Sequence, residues 1–199
     1  AIALTLLLVV MGKALWAERG LSLGDYGDLV SLVSIVLPIA FIGFVDDISQ
    51  RLSSSIRLVF MALFTILGFI SFPQFMPSGI LQELIGAESD FALLVFSVFF
   101  LVGFINAGNM VDGANGLLSI LIASFFGLCF YVTKADFHYM VMLVVAVFAF
   151  VNLVGGTKIM LGDFGAFGLS ALTILTAFLL YQTHNVSIFL YASLLCYPC

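Results

Sequence analysis

The stretch LVSLVSIVLPIAFIGFVDDISQRL, Leu29 to Leu52, shows how this chain is built. Residues 29–45 carry no charge, and an apolar run of about 17–25 residues is long enough to cross the hydrocarbon core of a bilayer as a helix. Two adjacent carboxylates, Asp46 and Asp47, follow at once. A helix that crosses a membrane and ends in a charged pair at its surface accounts for both features.

The composition of the whole chain agrees with a membrane location. Of the 199 residues, 63% are hydrophobic and 9% are charged, and the mean hydropathy is +1.28. A soluble domain has about 25% charged residues, so this chain has too few charges to cover a surface that faces water. The net charge of −5 excludes a strongly basic protein that binds nucleic acid.

Long apolar runs recur along the chain without strict alternation, which indicates helices rather than strands. We therefore predict an all-α fold, a polytopic membrane helix bundle of about eight spans that forms a single integral-membrane domain over residues 1–199. The chain begins and ends within apolar runs, which predicts truncation at both ends. The predicted spans are 1–11 (partial), 29–45, 57–72, 91–107, 117–132, 138–154, 164–181 and 188–199 (partial).

Because consecutive spans alternate in direction, three of the predicted loops share one side of the membrane. These loops are 46–56, 108–116 and 155–163. The acidic residues on that side are Asp46, Asp47, Asp112 and Asp163. Each lies in a short stretch rich in Gly, Asn or Asp, so their convergence on one membrane face is the main functional prediction. Lys and Arg are equally frequent on the two sides and therefore do not indicate which face is cytoplasmic.

The first loop combines the aspartate pair with two arginines. Adjacent carboxylates repel each other, so a divalent metal, Arg51 or Arg57 is needed to neutralise Asp46 and Asp47. Such a pair suits a base or nucleophile beside a metal-bound phosphate. Two structural alternatives stay open. In the first, Asp46 and Asp47 simply form a solvated helix end. In the second, Arg57 anchors the start of the next helix at the level of the lipid headgroups.

The second loop, NAGNMVDGANG, runs from residue 106 to residue 116. Asn106, Asn109 and Asp112 recur every three residues, which places them along one side of a helical turn, and Asn115 continues the series. Carboxylate and amide oxygens are ligands that suit Mg²⁺. Helix capping by Asn and Asp is the structural alternative.

The third loop, KIMLGDFGAFG, places Asp163 between glycines where a new span begins. A carboxylate on a turn flanked by glycine reaches a metal without steric hindrance. An aspartate that interacts with the helix dipole is the alternative. Lys158 precedes it and either contacts a diphosphate or marks the headgroup level.

The motifs FVDD, NAGNMVDGANG and MLGDFGAF, in this order and at helix ends, resemble the polyprenyl-phosphate N-acetylhexosamine-1-phosphate transferase family (glycosyl transferase family 4). The chain looks most like the bacterial members that initiate O-antigen, lipopolysaccharide or other cell-surface polysaccharide synthesis. The resemblance implies a phosphotransferase that moves N-acetylhexosamine-1-phosphate from a UDP-N-acetylhexosamine to undecaprenyl or another polyprenyl phosphate, with release of UMP. It also implies a multi-pass protein of the bacterial inner membrane, with its active site on the cytoplasmic face.

The same resemblance implies roles for individual residues. The implied catalytic residues are Asp46, Asp47 and Asp112. Asn109 and Asp163 are the implied ligands of Mg²⁺, with Mn²⁺ as a substitute. The implied substrate-binding residues are Asn106, Asn115, Arg51, Arg57, Lys158 and Met160. Two positions depart from the family pattern, because Asn115 stands where a second Asp is frequent and Met160 where an aromatic residue is frequent.

A secondary transporter is the main alternative, since acidic residues in membrane segments are functional there too. Transporter sites lie near the bilayer midplane and often in repeated halves, whereas these acids lie at span ends in a sequence without a repeat. A structural membrane protein is a further alternative. The expected partners are polyprenyl phosphate, a UDP-N-acetylhexosamine and the membrane, with no nucleic acid. The oligomeric state, a homodimer included, and the identity of the sugar stay open.

Overall fold

The computed structural model describes residues 23–49, 52–86, 89–112, 116–154 and 161–184. Within these ranges the chain is helical, without a β-strand, which confirms the all-α prediction. The helices are α1 (Leu23–Ser49), α2 (Ser54–Ser71), a 3-10 helix (Pro73–Phe75), α3 (Ile80–Ile85), α4 (Asp90–Asp112), α5 (Leu117–Thr133), α6 (Asp136–Val154) and α7 (Gly162–His184).

Six long helices correspond to six of the predicted spans. Five of them are long and apolar enough to cross a membrane, and α5 is an apolar helix of 17 residues. The other two predicted spans, 1–11 and 188–199, lie outside the described residues, so the predicted number of eight is not confirmed.

Large apolar side chains cover the outside of the bundle. Val30 of α1, Val59 of α2, Phe99 of α4 and Phe150 of α6 are all more than half exposed. Soluble monomers rarely expose such contiguous apolar surface, and a hydrocarbon solvent explains it. The protein is a polytopic helical membrane protein.

Helix α7 forms the centre of the bundle. Its spanning segment is 83% buried, against 22–39% for the other four candidate spans. It packs against α1, α4, α5 and the 3-10 helix. Many of its buried residues are small, among them Gly165, Ala166, Ser170 and Ala171, and small side chains let helices in membranes approach closely.

Because the helices alternate in direction, the bundle has two ends with different residues. One end carries the predicted site residues, and we call it the acidic end. It is defined by Asp46, Asp47, Arg57, Asp112 and Asp163. At the opposite end Gln182 donates a hydrogen bond to the carbonyl of Met76. The charged residues at that end include Glu83, Asp90, Lys134 and Asp136.

Candidate active site

The last turn of α1 carries the aspartate pair. The predicted span ended at residue 45, but α1 continues to Ser49, so Asp46 and Asp47 lie on a helix rather than in a loop. Helix α2 then begins after Ser53, whose hydroxyl accepts the N–H of Ile56 and so caps the helix. This local geometry places Arg57 in the first turn of α2, beside the end of α1.

Arg57 joins two of the predicted site carboxylates through one nitrogen. Its Nη1 lies 2.6 Å from Oδ2 of Asp46 and 3.1 Å from Oδ2 of Asp163. Its other terminal nitrogen, Nη2, donates to the hydroxyl of Ser54 at 3.3 Å. The side chains of Asp46 and Asp163 are 12% and 24% exposed, so both charges are partly desolvated and the guanidinium offsets them.

Asp47 binds the backbone of α7 rather than a side chain. Its Oδ1 accepts the N–H of Asp163 at 3.0 Å, and its Oδ2 accepts the N–H of Phe164 at 3.1 Å. The first N–H groups of a helix have no partner within that helix, and an acceptor there stabilises the helix end. Asp47 therefore caps α7 from another helix and fixes the position of Asp163.

Two glycines allow this close approach of α1 and α7. A Cβ on Gly43 would overlap the backbone of Asp163 and Phe164, so no other residue fits there without a shift of one helix. Gly162 has a φ of +72°, which glycine adopts without strain. A Cβ added to Gly162 would also meet the carboxylate of Asp47.

The second predicted loop joins the same group of residues. Helix α4 continues through Asp112, which is 9% exposed and accepts the N–H of Leu161 on Oδ1 at 3.4 Å. Asn109 lies partly exposed one turn earlier on α4. Asn106, two turns earlier, donates to the carbonyl of Val102 in its own helix. Described residues from all three predicted loops, which are distant in sequence, therefore meet at the acidic end.

The acidic end can be tested for its fit to a divalent ion. Among the described residues, no group of three or more His, Cys, Asp or Glu side chains is placed to hold one metal ion. Mg²⁺, however, is usually bound through one or two carboxylates together with substrate phosphates and water. Asp46 and Asp163 both reach a single nitrogen of Arg57, so two carboxylates point at one cation position. This donor set fits Mg²⁺ that is shared with a phosphate.

Four predicted substrate-binding residues, Arg51, Asn115, Lys158 and Met160, lie outside the described residues. The predicted site residues did not include Gly43 and Ser54, which shape the acidic end. Gly43 had a recognisable signal, because it precedes Asp47 by four residues and therefore lies on the same face of α1. The contact between Ser54 and Arg57 had a similar signal, the spacing of three residues within one helix.

A comparison with models of protein families shows which family the chain belongs to. The family model described as Glycosyl transferase family 4 matches residues 29–182, which include all the described residues of the acidic end. The chain belongs to glycosyl transferase family 4. This membership agrees with the resemblance seen in the three motifs and argues against the transporter alternative.

Curated members of glycosyl transferase family 4 include relatives of this chain. The phospho-N-acetylmuramoyl-pentapeptide-transferase of Wolbachia sp. subsp. Brugia malayi (strain TRS) is 30% identical over 171 residues, which cover 77% of this chain and 52% of the relative. The protein of the same name from Streptococcus agalactiae serotype III (strain NEM316) is 30% identical over 167 residues, which cover 75% of this chain and 48% of the relative. The chain spans about half the length of the curated relatives it matches.

Proposed function

We propose that this protein is a Mg²⁺-dependent transferase that moves a sugar 1-phosphate from a UDP-sugar to polyprenyl phosphate and releases UMP. The observation that carries the proposal is the meeting of Asp46, Asp163 and Arg57 at one end of a membrane bundle. Membership of glycosyl transferase family 4 and the names of the relatives support the same class of reaction.

The location of the acidic end suits the two substrates. The acceptor has a hydrocarbon tail in the bilayer and a phosphate at headgroup depth, whereas a nucleotide sugar is dissolved in water. A reaction between them takes place where helices end at the membrane surface. We propose that this surface is the cytoplasmic face of the bacterial inner membrane.

The reaction is a phosphoryl transfer, which depends chiefly on positioning and on neutralising charge. An oxygen of the lipid phosphate forms a bond to the β-phosphorus of the donor. The bond from this phosphorus to the bridging oxygen breaks, and that oxygen leaves as part of UMP. When bound, Mg²⁺ would polarise phosphate oxygens and offset the negative charge that builds up.

The residues of the acidic end have different proposed roles in this reaction. Asp163 and Asn109 are the proposed Mg²⁺ ligands, and Asp46 is placed to share the ion or to receive a proton from the lipid phosphate. Asp47 also belongs to the proposed catalytic group, and it holds the start of α7. Asp112 of α4 accepts the N–H of Leu161 and so fixes the residue that directly precedes α7.

The outer surface of α2 suits the lipid acceptor. Ile56, Val59 and Phe60 are exposed and, with Ser55, form an apolar patch on the outer face of α2. Arg57 lies on the same first turns of α2. An apolar patch beside a cation suits a hydrocarbon chain that carries a phosphate, which supports the proposal that the acceptor binds there.

We further propose that the donor sugar is an N-acetylated hexosamine and that the reaction begins the synthesis of a cell-surface polysaccharide such as O-antigen. The names of the relatives specify phospho-N-acetylmuramoyl-pentapeptide, and N-acetylmuramic acid is itself an N-acetylated hexosamine. The two candidate donors therefore share their reacting centre and differ in the substituent on the sugar.

The test is a measurement of UMP release by the full-length protein in detergent with undecaprenyl phosphate. The donors are UDP-GlcNAc, UDP-GalNAc and UDP-N-acetylmuramoyl-pentapeptide, each with Mg²⁺ and with EDTA. We expect release that requires both lipid and Mg²⁺ with a simple UDP-N-acetylhexosamine. Release only from the pentapeptide donor would replace the polysaccharide assignment with that of the relatives. No release from any donor by folded protein would overturn the transferase proposal.

A further inference from the structure

Arg57 occupies the position between two carboxylates that the proposed function assigns to metal and phosphate chemistry. We propose that Arg57 is a built-in counter-cation that holds Asp46 and Asp163 together before a metal binds, and that the divalent ion displaces it from between them. This inference rests on the proposed metal dependence and adds a step to it. The acidic end would exchange one cation for another.

The geometry shows why the two cations compete for one place. Nη1 of Arg57 contacts one oxygen of each carboxylate, at 2.6 and 3.1 Å. Mg²⁺ binds its oxygen ligands at about 2.1 Å. An ion that joined the same two oxygens would take up the space of Nη1, so both cations do not fit between Asp46 and Asp163 together.

The charges at the acidic end explain why a resident cation is needed. Asp46 and Asp163 share one nitrogen of Arg57, and Asp47 accepts the backbone N–H of Asp163, so three carboxylates are grouped around a single guanidinium. Like charges that are partly removed from water repel strongly. The guanidinium of Arg57 keeps Asp46 and Asp163 facing each other, in the arrangement that an arriving ion requires.

The helices that carry Asp163 and Arg57 indicate which of the two side chains moves when the ion binds. Asp163 lies at the start of the buried helix α7, where Asp47 binds its amide. Arg57 lies on α2, whose spanning segment is only 22% buried, and its side chain is as exposed as that of Asp163, at 24% each. The long arginine side chain rotates about several bonds, so its guanidinium can turn outward. The short side chain of Asp163 is instead held at the capped start of α7.

The experiment measures binding of Mn²⁺ by the full-length protein in detergent, without donor or lipid, from the electron paramagnetic resonance signal of the free ion. We expect Arg57→Gln to bind Mn²⁺ at least tenfold more tightly than the wild type, because the loss of the competing cation outweighs the loss of the contact that holds the two carboxylates together. Lys134→Gln removes one positive charge at the opposite end and is the matched control, expected to leave the affinity unchanged. An affinity of Arg57→Gln equal to or below that of the wild type would overturn the proposal.

A second arm separates displacement from simple repulsion between charges. In Arg57→Gln, guanidinium chloride at millimolar concentration should weaken Mn²⁺ binding severalfold, because the free guanidinium ion refills the vacated position. Tetramethylammonium chloride at the same ionic strength should not do so. Equal effects of the two salts would rule out displacement from a shared position.

Arg57→Lys covers the case in which Arg57→Gln does not fold. Its side chain is shorter and lacks the planar fork of arginine, so we expect a gain of severalfold in Mn²⁺ affinity. An affinity no higher than that of the wild type would also count against the proposal. Release of UMP by the wild-type protein is measured separately. Lipid-dependent release with unchanged Mn²⁺ binding in the variants would leave the transferase standing and remove the exchange of cations.

Discussion

The carboxylate of Asp47 accepts the backbone N–H of Asp163 at 3.0 Å, across 116 residues of sequence. A second bond, from the N–H of Phe164 to the other oxygen, completes the contact. The end of α1 thus fixes the beginning of α7, and the carboxylate of Asp163 is held toward Arg57. The acidic end is therefore organised by bonds to the backbone as well as by pairs of charges.

Substitution of Asp47 should separate its structural role from its chemical role. Asp47→Ala removes both acceptors of the α7 amides, and loss of a helix cap costs about 0.5–2 kcal/mol. Asp47→Asn keeps one acceptor oxygen and should unfold closer to the wild-type temperature. We expect both variants to lose turnover, as UMP release would show. Equal unfolding temperatures for the two variants would argue against the capping role.

Gly43→Ala should disturb the contact of α1 with α7. The added Cβ overlaps the backbone of Asp163 and Phe164, and overpacking of this kind costs about 1–3 kcal/mol. Thermal unfolding in detergent and UMP release should both fall. Gly103→Ala is the matched control, since the corresponding Cβ on α4 has nothing within 4 Å. We expect that variant to be neutral or slightly stabilising because alanine favours a helix. Equal behaviour of the two would contradict the close approach.

Asp46→Asn and Asp163→Ala should each abolish turnover while the protein still inserts into membranes. Each removes a charge that the proposed mechanism places next to a phosphate, so we expect a loss of at least about hundredfold in the rate of UMP release. Asp90→Asn, an exposed acid at the opposite end, should retain activity. Normal activity in either of the first two variants would remove that residue from the proposed site.

Asp112→Ala should loosen the segment that leads into α7. The substitution removes the acceptor of the Leu161 N–H in a buried position, and an unpaired buried group costs about 1–3 kcal/mol. We expect faster hydrogen exchange in peptides that contain Leu161, measured by mass spectrometry. Asp112→Asn retains an acceptor oxygen and should exchange more slowly than the alanine variant. Unchanged exchange in Asp112→Ala would show that this bond is not formed in solution.

The class of fold and the convergence of the acids could be predicted from the sequence because both follow from simple rules. Long uncharged runs predict helices in lipid, and alternating directions place Asp46, Asp112 and Asp163 on one side. The end of α1 was predicted too early, since the carboxylates were taken to terminate the span. The helix continues through them because Arg57 and the amides of α7 satisfy their charges.

The pairing within the acidic end could not be predicted. Sequence spacing gives no indication that Asp47 binds backbone amides while Asp46 binds a guanidinium, because that division depends on how α1 and α7 are rotated about their axes. The central position of α7 was also unpredicted. Its apolar content resembles that of the other spans, and its burial follows from its small residues, whose packing partners are distant in sequence.

The separation of the acidic residues along the chain has a consequence during synthesis. A ribosome adds about 5–20 residues per second, so Asp163 follows Asp47 after roughly ten seconds. Arg57 is only 11 residues from Asp46, and the two can pair as soon as α1 and α2 are inserted. The nascent hairpin of α1 and α2 therefore contains the counterion of Asp46 before α7 is synthesised. On this basis the contact of Arg57 with Asp46 forms first, and its contact with Asp163 forms after α7 is inserted.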